Sequence, residues 1–340
     1  MSAAVATSII SDRAGFAALE LEWWGLWRRS ARATPFQSPA WLMPWWDVFA
    51  PGDLHVAAVH RLGALIALAP VYLERSRSRP PRLLPVGISI SDYLDVLLDP
   101  ECREEAAAAL SAAMASSGAW ESWELAELAP DAEALRLPTP AGCEEARAAC
   151  DTCPYLPLPE RPEELAGVLP RRKRRSLSMN RNRAERRGEI TFHSLADQPA
   201  DSLLAELYRL HGARWESRGE PGVLSDESVQ RFHLLAMPRL AEAGLARLYA
   251  IRIGGRTAAV YYGLSHGAHA YAYLTGLDPE FAHESPGTLL LAHVMEEAIA
   301  EGVREFHFLR GGEAYKYGWG ALDRWNQTRV FNRRQADEAA

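Results

Sequence analysis

Two spacings of hydrophobic residues alternate along the chain, and they predict an order of helices and strands. Apolar residues at intervals of three and four predict helices over residues 1–33, 101–116, 203–214 and 226–243. Shorter alternating or continuous apolar runs predict strands over residues 54–60, 64–73, 91–98, 122–128, 247–253, 257–264, 270–276 and 305–309. The order strand, strand, strand, helix, strand occurs once in each half, which indicates an internal duplication. We therefore predict an α/β protein with mixed α+β sheets.

The most regular helix pattern begins at Ser285-Pro-Gly287. Its apolar stripe falls at Leu291, Val294, Met295, Ala298 and Ile299. A helix start offers free backbone N–H groups and the positive end of the helix dipole, which suits a phosphate or a carboxylate. We expect Ser285, Pro286, Gly287 and Thr288 to bind a cofactor, although an ordinary capped helix has the same pattern.

The segment from Phe308 to Gly320 combines cations, glycines and aromatic residues. Arg310 ends the last predicted strand and Lys316 follows a pair of glycines. Cations at a strand end could neutralise a phosphate or a developing oxyanion. The alternative is a buried C-terminal hairpin whose cations reach solvent.

The length of 340 residues predicts two domains, which we place at residues 1–155 and 160–335 with a Pro-, Cys- and Ala-rich linker over 138–162. No segment is apolar for long enough to cross a membrane, and the N-terminus lacks a signal pattern, so we expect a cytoplasmic protein. Cys150 and Cys153 have zinc-ligand spacing, but no second ligand pair with similar spacing accompanies them. We predict no metal.

One charged segment stands apart from the rest. The chain has a net charge of −7, yet residues 171–187 hold nine Arg or Lys and one Glu, which leaves −15 on the remainder. A tRNA or a phosphate-rich donor would be attracted to such a stripe. The alternative is a solvated helix face that pairs with the acidic body, because no aromatic residue interrupts the run.

Taken together, these segments resemble a known family. They are similar to the GNAT-fold acetyltransferases of the cellulose-biosynthesis type, which are related to the FemABX peptidoglycan aminoacyltransferases. The matching stretches occur in the family's order and are Phe36-Gln-Ser-Pro-Ala-Trp41, Ser91-Asp-Tyr-Leu-Asp95, 171–188, Trp215-Glu-Ser-Arg-Gly-Glu-Pro-Gly222, Gly255-Arg-Thr-Ala-Ala259, Ser285-Pro-Gly287 and Phe306-His-Phe-Leu-Arg-Gly-Gly-Glu-Ala-Tyr-Lys316. Two departures exist: the phosphate loop Arg/Gln-x-x-Gly-x-Gly/Ala is replaced by residues 283–287, and His307 stands where an Asp is usual.

The resemblance implies two tandem GNAT-like domains, with the acceptor side in the first and the acyl donor in the second. The donor implied is acetyl-CoA or another acyl-CoA, and the acceptor is an amine or hydroxyl of a small molecule or glycan. The residues this reading assigns fall into three groups: catalytic Asp92, Lys316 and Arg310; cofactor-binding Ser285, Pro286, Gly287, Thr288, Thr275 and Gly276; and substrate-binding Tyr93, Trp215, His211 and Tyr315.

Two alternatives stay open at this point. The basic run 171–187 and the missing phosphate loop are compatible with a FemABX-like transferase that takes its aminoacyl group from tRNA. A non-catalytic ligand-binding module could keep the same fold.

Overall fold

The computed structural model describes residues 4–216, 219 and 222–334, and the side chains of 214–216 fall outside that description. The strands in chain order are β1 (Val5–Ile10), β2 (Asp53–Leu54), β3 (Val56–Arg61), β4 (Ala64–Ala69), β5 (Val71–Glu74), β6 (Arg82–Pro85), β7 (Leu97–Leu98), β8 (Ser122–Leu128), β9 (Cys143–Thr152), β10 (Tyr155–Pro157), β11 (Ile190–Ser194), β12 (Ala246–Ile253), β13 (Arg256–His266), β14 (His269–Leu277), β15 (Glu305–His307) and β16 (Trp325–Arg333). The α-helices are α1 (Arg13–Ala18), α2 (Glu20–Arg29), α3 (Pro39–Phe49), α4 (Arg103–Ser116), α5 (Leu165–Val168), α6 (Arg171–Arg187), α7 (Ala200–Glu216), α8 (Glu227–Glu242), α9 (Pro286–Ala300) and α10 (Ala314–Tyr317).

The chain divides into two compact units. The first unit joins Met1–Asp151 to Trp325–Ala340, and the second is Thr152–Arg324. The predicted boundaries assign the last strand to the second domain, whereas β16 pairs antiparallel with β8 in the first unit. This pairing joins residues about two hundred positions apart, which local periodicity does not record.

The first unit contains two sheets. One has the order β1-β3-β4-β7, and the other β2-β5-β6-β8-β16-β9. The pairs β1–β3, β3–β4, β4–β7, β2–β5, β5–β6 and β8–β16 are antiparallel, whereas β6 and β8 run parallel, with α4 between them in sequence. Trp120, Trp123 and Phe331 are fully or almost fully buried in its core. Burying a side chain of this kind stabilises a fold by about 1.5–3 kcal/mol.

The second unit contains one sheet with the order β10-β15-β14-β13-β12-β11. Its pairings are antiparallel except β14 with β15, which run parallel with α9 between them in sequence. Tyr261 packs in the core that includes α9, whereas the ring of its neighbour Tyr262 meets His233 of α8. Adjacent residues of a strand point to opposite faces, so α8 and α9 cover opposite faces of this sheet.

The structure confirms the mixed α/β class and most predicted elements of the second half. The hairpin turn at Gly254-Gly255 has both φ angles positive, 58° and 78°, as a two-residue hairpin turn requires. Each unit contains a strand, a helix and a parallel strand in that order (β6-α4-β8 and β14-α9-β15), which agrees with the predicted repetition.

Three predicted elements of the first half are wrong. Residues 5–10 form β1 rather than part of a helix, because they pair with β3. Of residues 91–98, only Leu97–Leu98 is strand, since the preceding residues form a buried loop with Tyr93 in a left-handed conformation. The segment expected to be a linker contains β9 and β10. Because β9 is mostly exposed, its sequence has no alternation of apolar and polar residues that would predict a strand.

Candidate functional site

The parallel pair β14 and β15 separates after three residues. His269–Tyr271 pairs with Glu305–His307, and β15 then ends, while β14 continues to Leu277. The amide of Phe308 donates instead to the carbonyl oxygen of Pro154 at 2.8 Å. In the described part of the chain, β14 therefore has no ladder partner on this side beyond Tyr271. Residues 272–275 are partly exposed along this open edge.

A bulge lies in β14 beside the opening. Tyr262 pairs with Leu274 and Gly263 with Ala272, so Tyr273 is the extra residue. A bulge turns backbone groups away from the regular ladder. Backbone N–H groups that point into an open cleft can polarise a carbonyl and stabilise the oxyanion formed from it.

Thr275 and Gly276 follow the bulge, and Gly276 sits directly under α7. A Cβ at Gly276 would lie 2.9 Å from Leu210 Cβ, 3.0 Å from the Leu207 oxygen and 3.2 Å from the His211 nitrogen. Only glycine lets α7 approach β14 this closely. The predicted substrate residue His211 is buried beside this contact.

The start of α9 lies against the end of β14. A Cβ at Gly287 would come within 2.6 Å of Leu277 Cδ2. Ser285 is left-handed with φ 50° and makes no side-chain cap hydrogen bond, Pro286 has no N–H, and the Thr288 amide donates to the Ser285 oxygen at 3.0 Å. The predicted donor residues Thr275, Gly276 and 285–288 are thus brought together at one end of the second unit.

Lys316 is almost fully buried, with 1% of its side chain exposed. Its Nζ donates to the carbonyl oxygens of Leu309, Arg310 and Gly311 at 2.9, 2.7 and 2.9 Å, and pairs with Glu313 at 2.8 Å. An ammonium has three protons, and these three oxygens accept them. The geometry supports a role in holding the 309–311 turn rather than the predicted direct contact with developing charge.

The turn that Lys316 holds is conformationally demanding. Leu309 has φ 61° and Gly311 φ 103°, and the Gly311 amide donates to the Thr152 oxygen at 2.9 Å. Left-handed backbone at a residue such as leucine costs about 1–3 kcal/mol and occurs most often at functional sites. Arg310, between the two, is half-buried, and Tyr315 is 56% exposed.

In the first unit, Asp92 and Tyr93 lie in a buried loop over residues 87–96. Gln37 Nε2 donates to the Tyr93 oxygen, and Trp41 Nε1 donates to Ser91 Oγ at 2.8 Å. Tyr93 has φ 51°, and the Asp92 side chain is buried. Two motifs about fifty residues apart thus contact each other. This relation was missed because neither motif has a periodic pattern.

Asp95, from the same motif, supports the backbone of the first unit. Its carboxylate accepts hydrogen bonds from the amides of Val96, Glu133 and Ala134 at 2.8, 2.7 and 2.8 Å. Burial raises the pKa of Asp95 to about 7, although the three N–H donors favour the charged form. This carboxylate holds the loop through its three backbone hydrogen bonds.

Among the described residues, His269, Glu305 and His307 could bring three ligand atoms within 4.8 Å of one another. Burial lowers the pKa of His307 to about 4, while the His307 and Arg324 contacts lower that of Glu305 to about 2. Arg324 lies 3.0 Å from the Glu305 carboxylate. A guanidinium at that distance opposes a cation, so the cluster is better described as an ion-paired network.

One predicted substrate residue, Trp215, is in α7, but its side chain lies outside the described residues. In the described chain, no helix is long and apolar enough to cross a membrane. In the first turns of α6, Arg171, Arg172, Arg174 and Arg175 are exposed.

One segment of the chain matches a known domain family. Residues 171–317 match the model of the acetyltransferase (GNAT) domain. No curated protein sequence matches the chain. The crystal structure of FemX is 13% identical, with 95% of this chain and 96% of FemX covered and a TM-score of 0.69.

Two further solved structures are similar. A conserved protein of unknown function from Bacteroides thetaiotaomicron is 11% identical over 96% of this chain and 100% of its own, with a TM-score of 0.59. The C-terminal domain of a putative lysylphosphatidylglycerol synthetase from Agrobacterium fabrum is 12% identical over 92% and 91%, with a TM-score of 0.55. At these identities the likeness concerns the fold. The chain therefore has a GNAT-like fold of mixed α/β sheets, contains a GNAT acetyltransferase domain at residues 171–317, and is an N-acyltransferase by enzyme class.

Proposed function

We propose that this chain transfers an acyl group, acetyl from acetyl-CoA, to an amine or hydroxyl of a small molecule or glycan. The observation that carries the proposal is the contact between Gly287 and Leu277. It puts the first turn of α9 against the C-terminal end of β14, within a segment that matches the acetyltransferase model.

In this proposal the donor lies along the open edge of β14. The phosphates of CoA bind at the start of α9, near Ser285, Gly287 and Thr288, because the positive end of this 15-residue helix lies there. The pantetheine amides pair with the backbone of residues 272–277, as an added strand would. The thioester carbonyl then reaches the bulge at Tyr273.

The reaction is a direct acyl transfer. The acceptor nitrogen or oxygen attacks the thioester carbon, and the backbone N–H groups near Tyr273–Gly276 stabilise the tetrahedral oxyanion. The C–S bond breaks as the oxyanion collapses, and CoA leaves as a thiolate. We assign the acceptor's proton to Asp92, directly or through water.

The two cations at residues 310 and 316 have separate roles in this scheme. Lys316 holds the backbone of the 309–311 turn. Arg310, half-buried at the apex of that turn, is assigned to the negative charge of the donor.

Calorimetric titration with acetyl-CoA, 3′-dephospho-CoA and CoA tests the donor. We expect saturable binding of acetyl-CoA that weakens when the 3′-phosphate is removed. Gly287→Val is compared with Gly167→Val, because a Cβ at Gly167 meets no atom within 4 Å while one at Gly287 meets Leu277. The melting temperatures of both variants show whether a loss of binding is a loss of folding. Only Gly287→Val is expected to abolish binding.

Two outcomes would contradict the proposal. If no member of an acyl-CoA panel binds and charged tRNA is retained on a filter, the donor is an aminoacyl-tRNA. If acyl-CoA binds but no acceptor is modified and Asp92→Asn has no biological effect, the fold serves as a ligand-binding module.

A further inference from the structure

The basic helix α6 presents its exposed cations on one half of its surface. Leu177, Asn180 and Ala184 turn toward the protein, and Asn180 and Ala184 are buried. At 100° per residue the outward half carries one exposed acid, Glu185, and six exposed arginines, which are Arg171, Arg172, Arg174, Arg175, Arg181 and Arg186. We call these six residues the α6 face.

The acidic body of the protein makes few close ion pairs with α6. Within the described residues, Arg187 is the one cation of α6 with an ion pair, to Glu280 and Glu284 at 2.8 and 3.2 Å. The six residues of the α6 face have none within 4 Å. The solvated helix face considered from the sequence therefore forms, but its close ion pairs with the acidic body are confined to Arg187.

The position of the charges is unfavourable for the helix itself. Five consecutive cations occupy residues 171–175 at the positive end of the α6 dipole, and the first turn has no acidic residue. Positive side chains at the positive end of the helix dipole destabilise a helix.

An apolar side chain lies among the arginines of the α6 face. It is Met179, which is 44% exposed. Lys173 lies 4.2 Å from the ring of Trp319, which brings α10 beside the first turn of α6. On α10, Tyr315 is 56% and Tyr317 37% exposed. The surface is thus a set of exposed arginines with an exposed methionine among them, and two exposed tyrosines lie on the neighbouring helix α10.

We propose that the α6 face docks the protein on the surface of an anionic lipid bilayer. Clusters of basic residues on one helix face bind anionic headgroups, and aliphatic and tyrosine side chains enter the headgroup boundary. RNA is the competing partner, and the exposed Met179 among the arginines favours the bilayer, because a phosphate backbone offers no apolar region to receive it. The proposal is independent of the acyl donor.

Co-sedimentation with vesicles tests this docking. We expect the full chain to bind vesicles of phosphatidylcholine mixed with phosphatidylglycerol, and not phosphatidylcholine alone. Binding should weaken about fivefold for each neutralised arginine, and it should be lost near 1 M salt, where the Debye length falls to about 3 Å. The test variant is Arg171→Gln/Arg172→Gln, matched by Arg77→Gln/Arg79→Gln at two exposed arginines of the first unit.

The controls keep the result interpretable. Because the α6 variant removes charges that oppose the helix dipole, its melting temperature should equal or exceed that of the parent, so lost binding is not lost folding. Equal vesicle binding by the two variants overturns the proposal. Salt-sensitive retention of tRNA without binding to anionic vesicles also overturns it and assigns the α6 face to RNA.

Discussion

The ammonium of Lys316 donates a 2.7 Å hydrogen bond to the main-chain oxygen of Arg310. Both residues were expected to face negative charge side by side. In the structure Lys316 instead holds the backbone on which Arg310 lies, because its ammonium also donates to the oxygens of Leu309 and Gly311. The orientation of Arg310 therefore depends on a buried cation six residues later.

Replacing Lys316 with Met should destabilise the second unit by about 3–5 kcal/mol, because Glu313 would lose its buried partner and three carbonyl oxygens their donor. Urea unfolding measures this change. Glu313→Gln is the control: Glu313 is 58% exposed, so its loss should cost at most about 1 kcal/mol. Equal effects of the two changes would contradict a clamp made of the three carbonyls.

A second prediction concerns the glycine under α7. Gly276→Ala should destabilise the protein by about 1–3 kcal/mol, since its Cβ meets backbone and Cβ atoms of α7 that cannot rotate away. Gly212→Ala, in α7 itself, adds a Cβ with no atom within 4 Å and should be neutral or stabilise by up to about 1 kcal/mol. Thermal unfolding of both variants tests the pair, and similar melting temperatures would argue against the close approach.

Acid should destabilise the protein through His233. Burial lowers the pKa of His233 to about 3, whereas an unfolded histidine titrates near 6.5. The unfolded state therefore binds more protons between these values, and the unfolding free energy falls as the pH is lowered from 6.5 toward 3. By pH 4 this histidine should account for a loss of about 3 kcal/mol.

His233→Leu should remove that share of the acid sensitivity, as urea unfolding at pH 7 and pH 4 would show. His283→Leu serves as the matched change, because its ring is 72% exposed. The pH dependence of His283→Leu should equal that of the parent. An unchanged slope in His233→Leu would mean that its ring is accessible to protons in the folded state.

Asp92 and Asp95 come from one motif but should differ when each becomes Asn. Asp92→Asn should lower kcat/KM roughly 10²- to 10⁴-fold with unaltered acyl-CoA binding, as loss of a general base does. Asp95→Asn should instead cost about 1–3 kcal/mol of stability, since its new NH₂ group would face a backbone N–H. Steady-state kinetics and urea unfolding of both variants distinguish the two roles. A fully active Asp92→Asn variant would show that Asp92 is not the general base.

The regular elements of the second unit were predictable because their causes are local. The apolar stripe of α9 and the Gly254-Gly255 hairpin are set by residues within a few positions of one another. The first unit was less predictable. β9 is mostly exposed and has no alternation. The buried loop around Asp92 is held by Gln37 and Trp41, which lie 56 and 50 positions from the residues they contact.

By itself, the sequence determined the mixed α/β class, the order of most elements, and the concentration of charge on α6. Tertiary structure alone decided where β14 and β15 separate, that β16 returns to the first unit, and that Lys316 points inward to three carbonyl oxygens. The reason is one of range. Periodicity and turn chemistry act over a few residues, whereas strand partners and the burial of a charge depend on which distant segments pack together.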